Sequence, residues 1–129
     1  MIAIDTNVLV RYLVTDDPEQ SEVARKFIED GLSAIAPGFV SLVVLVELDW
    51  VLRSGYRFSP TAIAEIFQRL LTSPKIVFEN AAAVGRALSQ SRRNFADMLI
   101  HEVGCTNACT KTVTFDRKFA RLDGVELLA

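Results

Sequence analysis

Four carboxylates in this 129-residue chain stand where an acid can do more than solvate a surface. Asp5 follows the apolar run Ile2-Ala3-Ile4 directly, and Asp116 lies two residues beyond the β-branched run Thr110 to Thr114. Asp97 is three residues after Asn94, in the first turn of an expected helix. Glu47 interrupts Leu42-Val43-Val44-Leu45-Val46-Glu47-Leu48. A carboxylate in so apolar a stretch is expected to be at least partly buried, and burial without compensation costs several kcal/mol or forces protonation. Asp49, two positions on, is expected on another side of the helix, solvated or paired there. Acids that crowd together repel unless a divalent cation or a shared proton holds them. Oxygen donors without His or Cys suit Mg2+ or Mn2+. Such an ion beside a phosphate lowers the pKa of the attacking water and neutralises developing charge. The chemistry expected of Asp5, Glu47, Asp97 and Asp116, as metal ligands and catalytic groups, is phosphodiester hydrolysis.

Each acid also has a plainer role to set beside this one. Asp5 can cap a helix that begins at Thr6, Asp97 can form a box with Asn94, and Asp116 can cap a helix holding Arg117 to Arg121. Glu47 has no capping role, so its plain alternative is a buried salt bridge. One shared cause accounts for four such placements more economically than four separate ones. Thr6, Asn7 and Thr114 lie beside the acids and are expected to bond the carboxylates or the waters of a metal. Arg11, Arg92, Arg93, Arg117 and Lys118 flank them and would form a basic rim for an RNA backbone, with Arg121 close by. The single histidine, His101, lies one turn beyond Asp97 and is expected to be an ordinary surface or core residue. With one His and no nucleophile-elbow motif, a serine or cysteine triad is not expected.

The elements that must position these residues alternate. A buried strand is expected at Ile2–Ile4, a short one within Ala34–Val40, interrupted by Pro37-Gly38, and others at Ile76–Phe78, Thr110–Thr114 and Val125–Leu128. Between them, helices are expected at Thr6–Leu13, from Asp17-Pro18 to about Asp30, at Leu42–Arg53 behind a Ser41 cap, and from Ser59-Pro60 to about Thr72. Further helices should run from Asn80 to about Ser91 and from Asn94 to about Cys105, with a short one from Asp116 to Leu122. Strand–helix alternation argues for a parallel sheet with helices on both faces. Such sheets bind ligands at the carboxyl ends of their strands, where Asp5 and Asp116 fall.

The length suits one domain, 1–129, and 50% hydrophobic residues suffice for a core. A net charge of −2 excludes a polycation, so nucleic acid must be met by a local basic patch. No basic, apolar leader opens the chain and the longest apolar run is too short for a membrane span, so a cytoplasmic location is expected. Cys105 and Cys109 are then expected to be reduced, buried small apolar residues rather than a disulfide or a zinc site.

Four segments together resemble the PIN-domain family. They are Ile4-Asp5-Thr6-Asn7-Val8-Leu9-Val10, Val43 to Leu52 with Glu47 at its centre, Phe95-Ala96-Asp97-Met98-Leu99-Ile100, and Thr112-Val113-Thr114-Phe115-Asp116-Arg117-Lys118-Phe119. The set is most similar to VapC-type toxins of bacterial toxin–antitoxin pairs. The resemblance implies a three-layer α/β/α sandwich with a mainly parallel central sheet, a Mg2+- or Mn2+-dependent endoribonuclease, a homodimer, and an antitoxin partner whose tail covers the active site. It assigns Asp5, Glu47, Asp97 and Asp116 to the acidic set, with Thr114 and Asn7 as accessory positions. Asp49 departs from the family pattern, in which an apolar residue is more usual there. Two other functions compete. A haloacid-dehalogenase-like phosphatase needs a second acid where Asn7 stands, and a phospho-receiver needs its aspartate at the end of a mid-chain strand. A PIN-like module that has lost catalysis would use the acids for no metal at all.

Overall fold

The structure, a computed structural model, describes residues 1–90 and 94–128. It forms two compact units, Met1–Ala81 and Ala82–Ala129. In the first, β1 (Ile2–Ala3), β2 (Gly38–Val40) and β3 (Ile76–Phe78) pair in that order, all parallel. In the second, β4 (Thr112–Thr114) and β5 (Val125–Leu127) pair in parallel. The fold is α/β with parallel strands, as the alternation of patterns required.

Helix starts follow local chemistry. Helix α1 (Thr6–Leu13) is capped by Asp5, and α2 (Pro18–Arg25) by Asp17, whose carboxylate accepts the Gln20 N–H. Ser41 caps α3 (Leu42–Trp50) through the Val44 N–H, and Ser59 caps α4 (Pro60–Thr72) through the Ala62 N–H. Pro18 and Pro60 open their helices, where a missing N–H is harmless. Helices α2 and α3 both run on into wider π turns, Lys26–Gly31 and Val51–Gly55. In the second unit α5 (Ala81–Leu88) and α6 (Phe95–Thr106) precede β4, and a 3-10 turn, Phe119–Arg121, precedes β5.

Two expectations change. The strand at residues 2–4 was expected to be buried, but Ile2 and Ala3 are exposed and only Ile4 is buried. In its three-stranded sheet β1 has a strand neighbour on one side only, β2. Asn80, directly before α5, has φ 53, the left-handed conformation that Asn tolerates better than most residues. Cys105 and Cys109 were expected to be buried and are both exposed.

The core of the first unit is built on Leu9, Val40, Leu45, Leu48, Leu52 and Phe67, each with no accessible surface. Gly38 belongs to it. A Cβ at that position would lie 2.4 Å from Ile4 Cδ1 and 2.9 Å from Leu32 Cδ1, so both side-chain ends would have to shift to admit one. In the second unit Val84, Met98, Phe119 and Val125 are buried. Among the described residues no helix is long and apolar enough to cross a membrane.

Candidate nuclease site

In the first unit, parallel register sets a row of residues along the carboxyl edge of the sheet. Ala3 pairs with Phe39 and Val40 with Phe78. One residue past Ile4 and one past Val40 and Phe78, the next row is therefore Asp5, Ser41 and Glu79. Asp5 is exposed, with extended backbone (φ −78, ψ 156), and its Oδ1 accepts the Thr6 N–H at 2.8 Å. Oδ2 has no hydrogen bond among the described residues. Asp5, Asn7 and Arg11 line one open cleft of about 920 Å3 beside α2. Here the structure gathers one acid, one accessory residue and one basic residue of the expected set. Thr6 is buried, and its hydroxyl has no partner among the described residues.

Arg11 is already occupied. Its Nε donates to Gln20 Oε1 at 2.6 Å and its Nη1 to Asp16 Oδ1 at 3.1 Å. Tyr56 donates to the other Asp16 oxygen at 2.6 Å. That hydroxyl, with Arg11 assisting, holds the Asp16 carboxyl below the usual carboxylate range. The network ties the α1–α2 loop to the segment after α3, so any contact of Arg11 with RNA would add to a structural task.

Glu47 contradicts its expectation. It is exposed, while Asp49, expected to be solvated or paired on another side, is paired there with Arg53 and buried at 4% exposure. Helix α3 is apolar around most of its circumference, so both phases looked like a core stripe. The stripe that packs is Leu45, Leu48, Asp49 and Leu52, spaced i, i+3, i+4, i+7. Val43, Val46, Glu47 and Trp50 turn outward on the opposite side. Burial raises the Asp49 carboxyl above its usual range, and Arg53, 3.3 Å away, opposes the shift. Glu47 has no hydrogen bond or ion pair among the described residues and lines a shallow apolar depression with Leu42, Val43, Val46 and Trp50. This is not the cleft that Asp5 lines, although α1 packs on α3.

Glu79 is the residue that sequence reading missed. Its Oε1 accepts the Leu42 N–H at 2.8 Å and so helps Ser41 fix the start of α3, the helix that carries Glu47. The signal was present: Glu79 follows an apolar strand just as Asp5 does.

In the second unit, Asn94 caps α6 by accepting the Asp97 N–H at 3.1 Å, which places Asp97 in the first turn, partly exposed. Asp116 is exposed. Its Oδ1 accepts the N–H groups of Lys118 (2.8 Å) and Phe119 (3.1 Å), and its own N–H donates to Thr114 Oγ1 at 3.0 Å. Thr114 is thus a direct support of Asp116. Arg117 and Lys118 are exposed beside it. Arg92 and Arg93 lie outside the described residues. His101, one turn past Asp97, is buried and bonds Thr112 rather than any of the acids.

Asp5 and Asp116 therefore do cap local structure, each with one oxygen, and each keeps a second oxygen that no described residue engages. The available donors are hard carboxylate oxygens, which fit Mg2+ or Mn2+ in kind. Mg2+ retains most of its waters and binds through one or two carboxylates, so a closed cage is not required. Among the described residues no three His, Cys, Asp or Glu side chains gather as a metal-ligand group.

No curated protein matches the chain. The family model described as PIN domain matches residues 2–125. PIN domains are generally nucleases and typically use divalent metal ions. With strand–helix order, parallel pairing and nearly the whole length accounted for, this chain belongs to the PIN domain family.

Proposed function

We propose that the chain is a Mg2+- or Mn2+-dependent endoribonuclease. Its biological role on this reading is the toxin of a type II toxin–antitoxin pair of the VapC kind, a cytoplasmic homodimer silenced by its antitoxin. The observation that carries the reading is the PIN domain match over residues 2–125. Asp5, Glu47, Asp97 and Asp116 are the metal ligands in this proposal. The cation supplies charge neutralisation at the scissile phosphate and a more acidic attacking water. The second carboxylate oxygens of Asp5 and Asp116 are the ones their caps leave for it. On this reading Asn7, which lines the cleft with Asp5, hydrogen-bonds substrate, and Thr114, which accepts the Asp116 N–H, supports that residue's backbone. Arg11, Arg92, Arg93, Arg117 and Lys118 hold the RNA backbone by charge, which makes binding weaken as salt rises.

The test is cleavage of single-stranded RNA and of matched DNA, with Mg2+, with Mn2+ and with EDTA, in the wild-type chain and in Glu47→Gln. RNA cleavage that needs the metal and vanishes in Glu47→Gln is expected. Full activity in Glu47→Gln, or in EDTA, refutes the assignment. The capping bonds already made by Asp5 and Asp116 favour a second reading, a PIN-like module without catalysis. Titration calorimetry with Mn2+ separates the two: no heat of binding supports the module.

A further inference from the structure

The second unit carries a cluster that the acidic residues do not involve. His101 lies in the middle of α6, 9% exposed. Its Nδ1 is 2.8 Å from Thr112 Oγ1 on β4, and its Nε2 is 3.6 Å from Cys105 Sγ, one turn further along α6. Gly124 (φ 85) closes over the ring: a Cβ there would lie 3.0 Å from His101 Cε1 and 3.3 Å from Nε2. The imidazole is therefore held by α6, β4 and the turn before β5, with one nitrogen on a threonine hydroxyl and the other on a thiol. In the tautomer protonated at Nδ1, that N–H donates to Thr112 Oγ1 and Nε2 accepts from the Cys105 S–H. A nucleophile within reach of a base, the base itself oriented by a third group, is the arrangement that activates thiols. His101 also lines a cleft of about 360 Å3 with Glu102, Arg121 and Asp123, which gives the ring an outlet to solvent for a proton.

Cys109 supplies an internal comparison. It is also exposed, four residues on, but no hydrogen bond joins it to a base among the described residues. Its sulfur rests near Gly104. Exposure is shared by the two thiols, and the imidazole belongs to one.

We propose that Cys105 is a modification site, a thiol that His101 assists in reacting with small electrophiles, hydroperoxides being the natural class. In that reaction Cys105 Sγ attacks one peroxide oxygen and an S–O bond forms as the O–O bond breaks. The thiol proton passes to His101 Nε2 and on to the departing alkoxide, or hydroxide in the case of hydrogen peroxide, which leaves as the alcohol or as water. The sulfur, oxidised by two electrons, becomes a sulfenic acid while the peroxide is reduced. The proposal is independent of the nuclease reading, since none of the four acids takes part.

The probe is iodoacetamide, limiting in amount, on the full chain at neutral pH, with the two cysteine peptides followed by mass spectrometry. Cys105 is expected to be alkylated roughly tenfold faster than Cys109 or more, a modest share of what a positioned base can supply. His101→Gln should bring the ratio close to one while leaving the Cys109 rate unchanged. Thr112→Val removes only the orienting hydroxyl at similar volume and should lower the ratio too, which keeps the test sound if the histidine variant fails to fold. Hydrogen peroxide followed by dimedone should trap the sulfenic acid on Cys105 first. Equal alkylation rates in the wild-type chain, or a ratio that survives both substitutions, would overturn the proposal.

Discussion

Asp5 has a job that is visible and a job that is proposed, and two substitutions at that one position pull them apart. The visible job is the bond from Thr6 N–H to Oδ1 at 2.8 Å at the start of α1. Losing a cap of this kind costs about 1 kcal/mol, which in a chain of 129 residues lowers Tm by about 4 °C. Asp5→Ala should show that loss. Asp5→Asn keeps an oxygen of the same reach, and Asn caps as well as Asp. Only the favourable charge at the helix N-terminus disappears, a few tenths of a kcal/mol for an exposed side chain. Asp5→Asn should therefore melt within about 2 °C of the wild-type chain when no metal is present. The proposed job sets a different scale. A cation at about 100 times its dissociation constant stabilises the folded state by about 2.7 kcal/mol, or about 10 °C at the same conversion. Mn2+ should raise the wild-type Tm on that scale and should do far less for either variant, both of which should also fail to cleave RNA. The assay is a melting curve with and without Mn2+, paired with a cleavage time course. If Asp5→Asn retains both the Mn2+ shift and cleavage, Asp5 is a cap and nothing more. If Asp5→Asn loses as much stability as Asp5→Ala without metal, the capping argument itself is wrong.

Gly38→Ala should cost about 1–3 kcal/mol by overpacking, because its Cβ would meet Ile4 Cδ1 at 2.4 Å. Adding Ile4→Val removes that methyl, so urea midpoints of the single and double variants should show coupling of about 1 kcal/mol, and strict additivity would argue against the clash. For Asp49, burial makes the folded carboxyl hold its proton to higher pH than the unfolded one. The folded state then binds more protons across that window, so this residue's contribution to stability falls as pH rises through it. Asp49→Asn should remove the fall, and urea unfolding on either side of the window should show the wild-type chain losing ground to the variant as pH rises. The opposite trend would mean that the Arg53 pair outweighs burial. Glu79→Ala should lose about 1 kcal/mol with the Leu42 N–H acceptor, while Glu79→Gln should keep most of it; equal losses would show that the charge, not the bond, is what α3 uses.

What could be read from the chain alone is what neighbours in sequence settle between themselves. Asp17-Pro18, Ser41, Ser59-Pro60 and Asn94 all start helices where expected, because a cap is a bond between residues three apart and a proline acts on its own backbone. Strand–helix alternation likewise contained the parallel pairing, since parallel strands need a crossover between them. The family, too, could be recognised from short segments in order. Tertiary structure decided the rest, wherever a local pattern had two solutions. Helix α3 is apolar on both sides, so its hydropathy carries no phase, and only packing could choose Leu45, Leu48 and Leu52 over Val43, Val46 and Trp50. That choice exposed Glu47 and buried Asp49. Glu79 joined Asp5 on one edge because strand order and register put them in the same row, and His101 met Thr112 because the fold brings α6 and β4 within hydrogen-bond reach at that point. Contacts between residues distant in sequence depend on how elements stack, and no window of neighbouring residues encodes that.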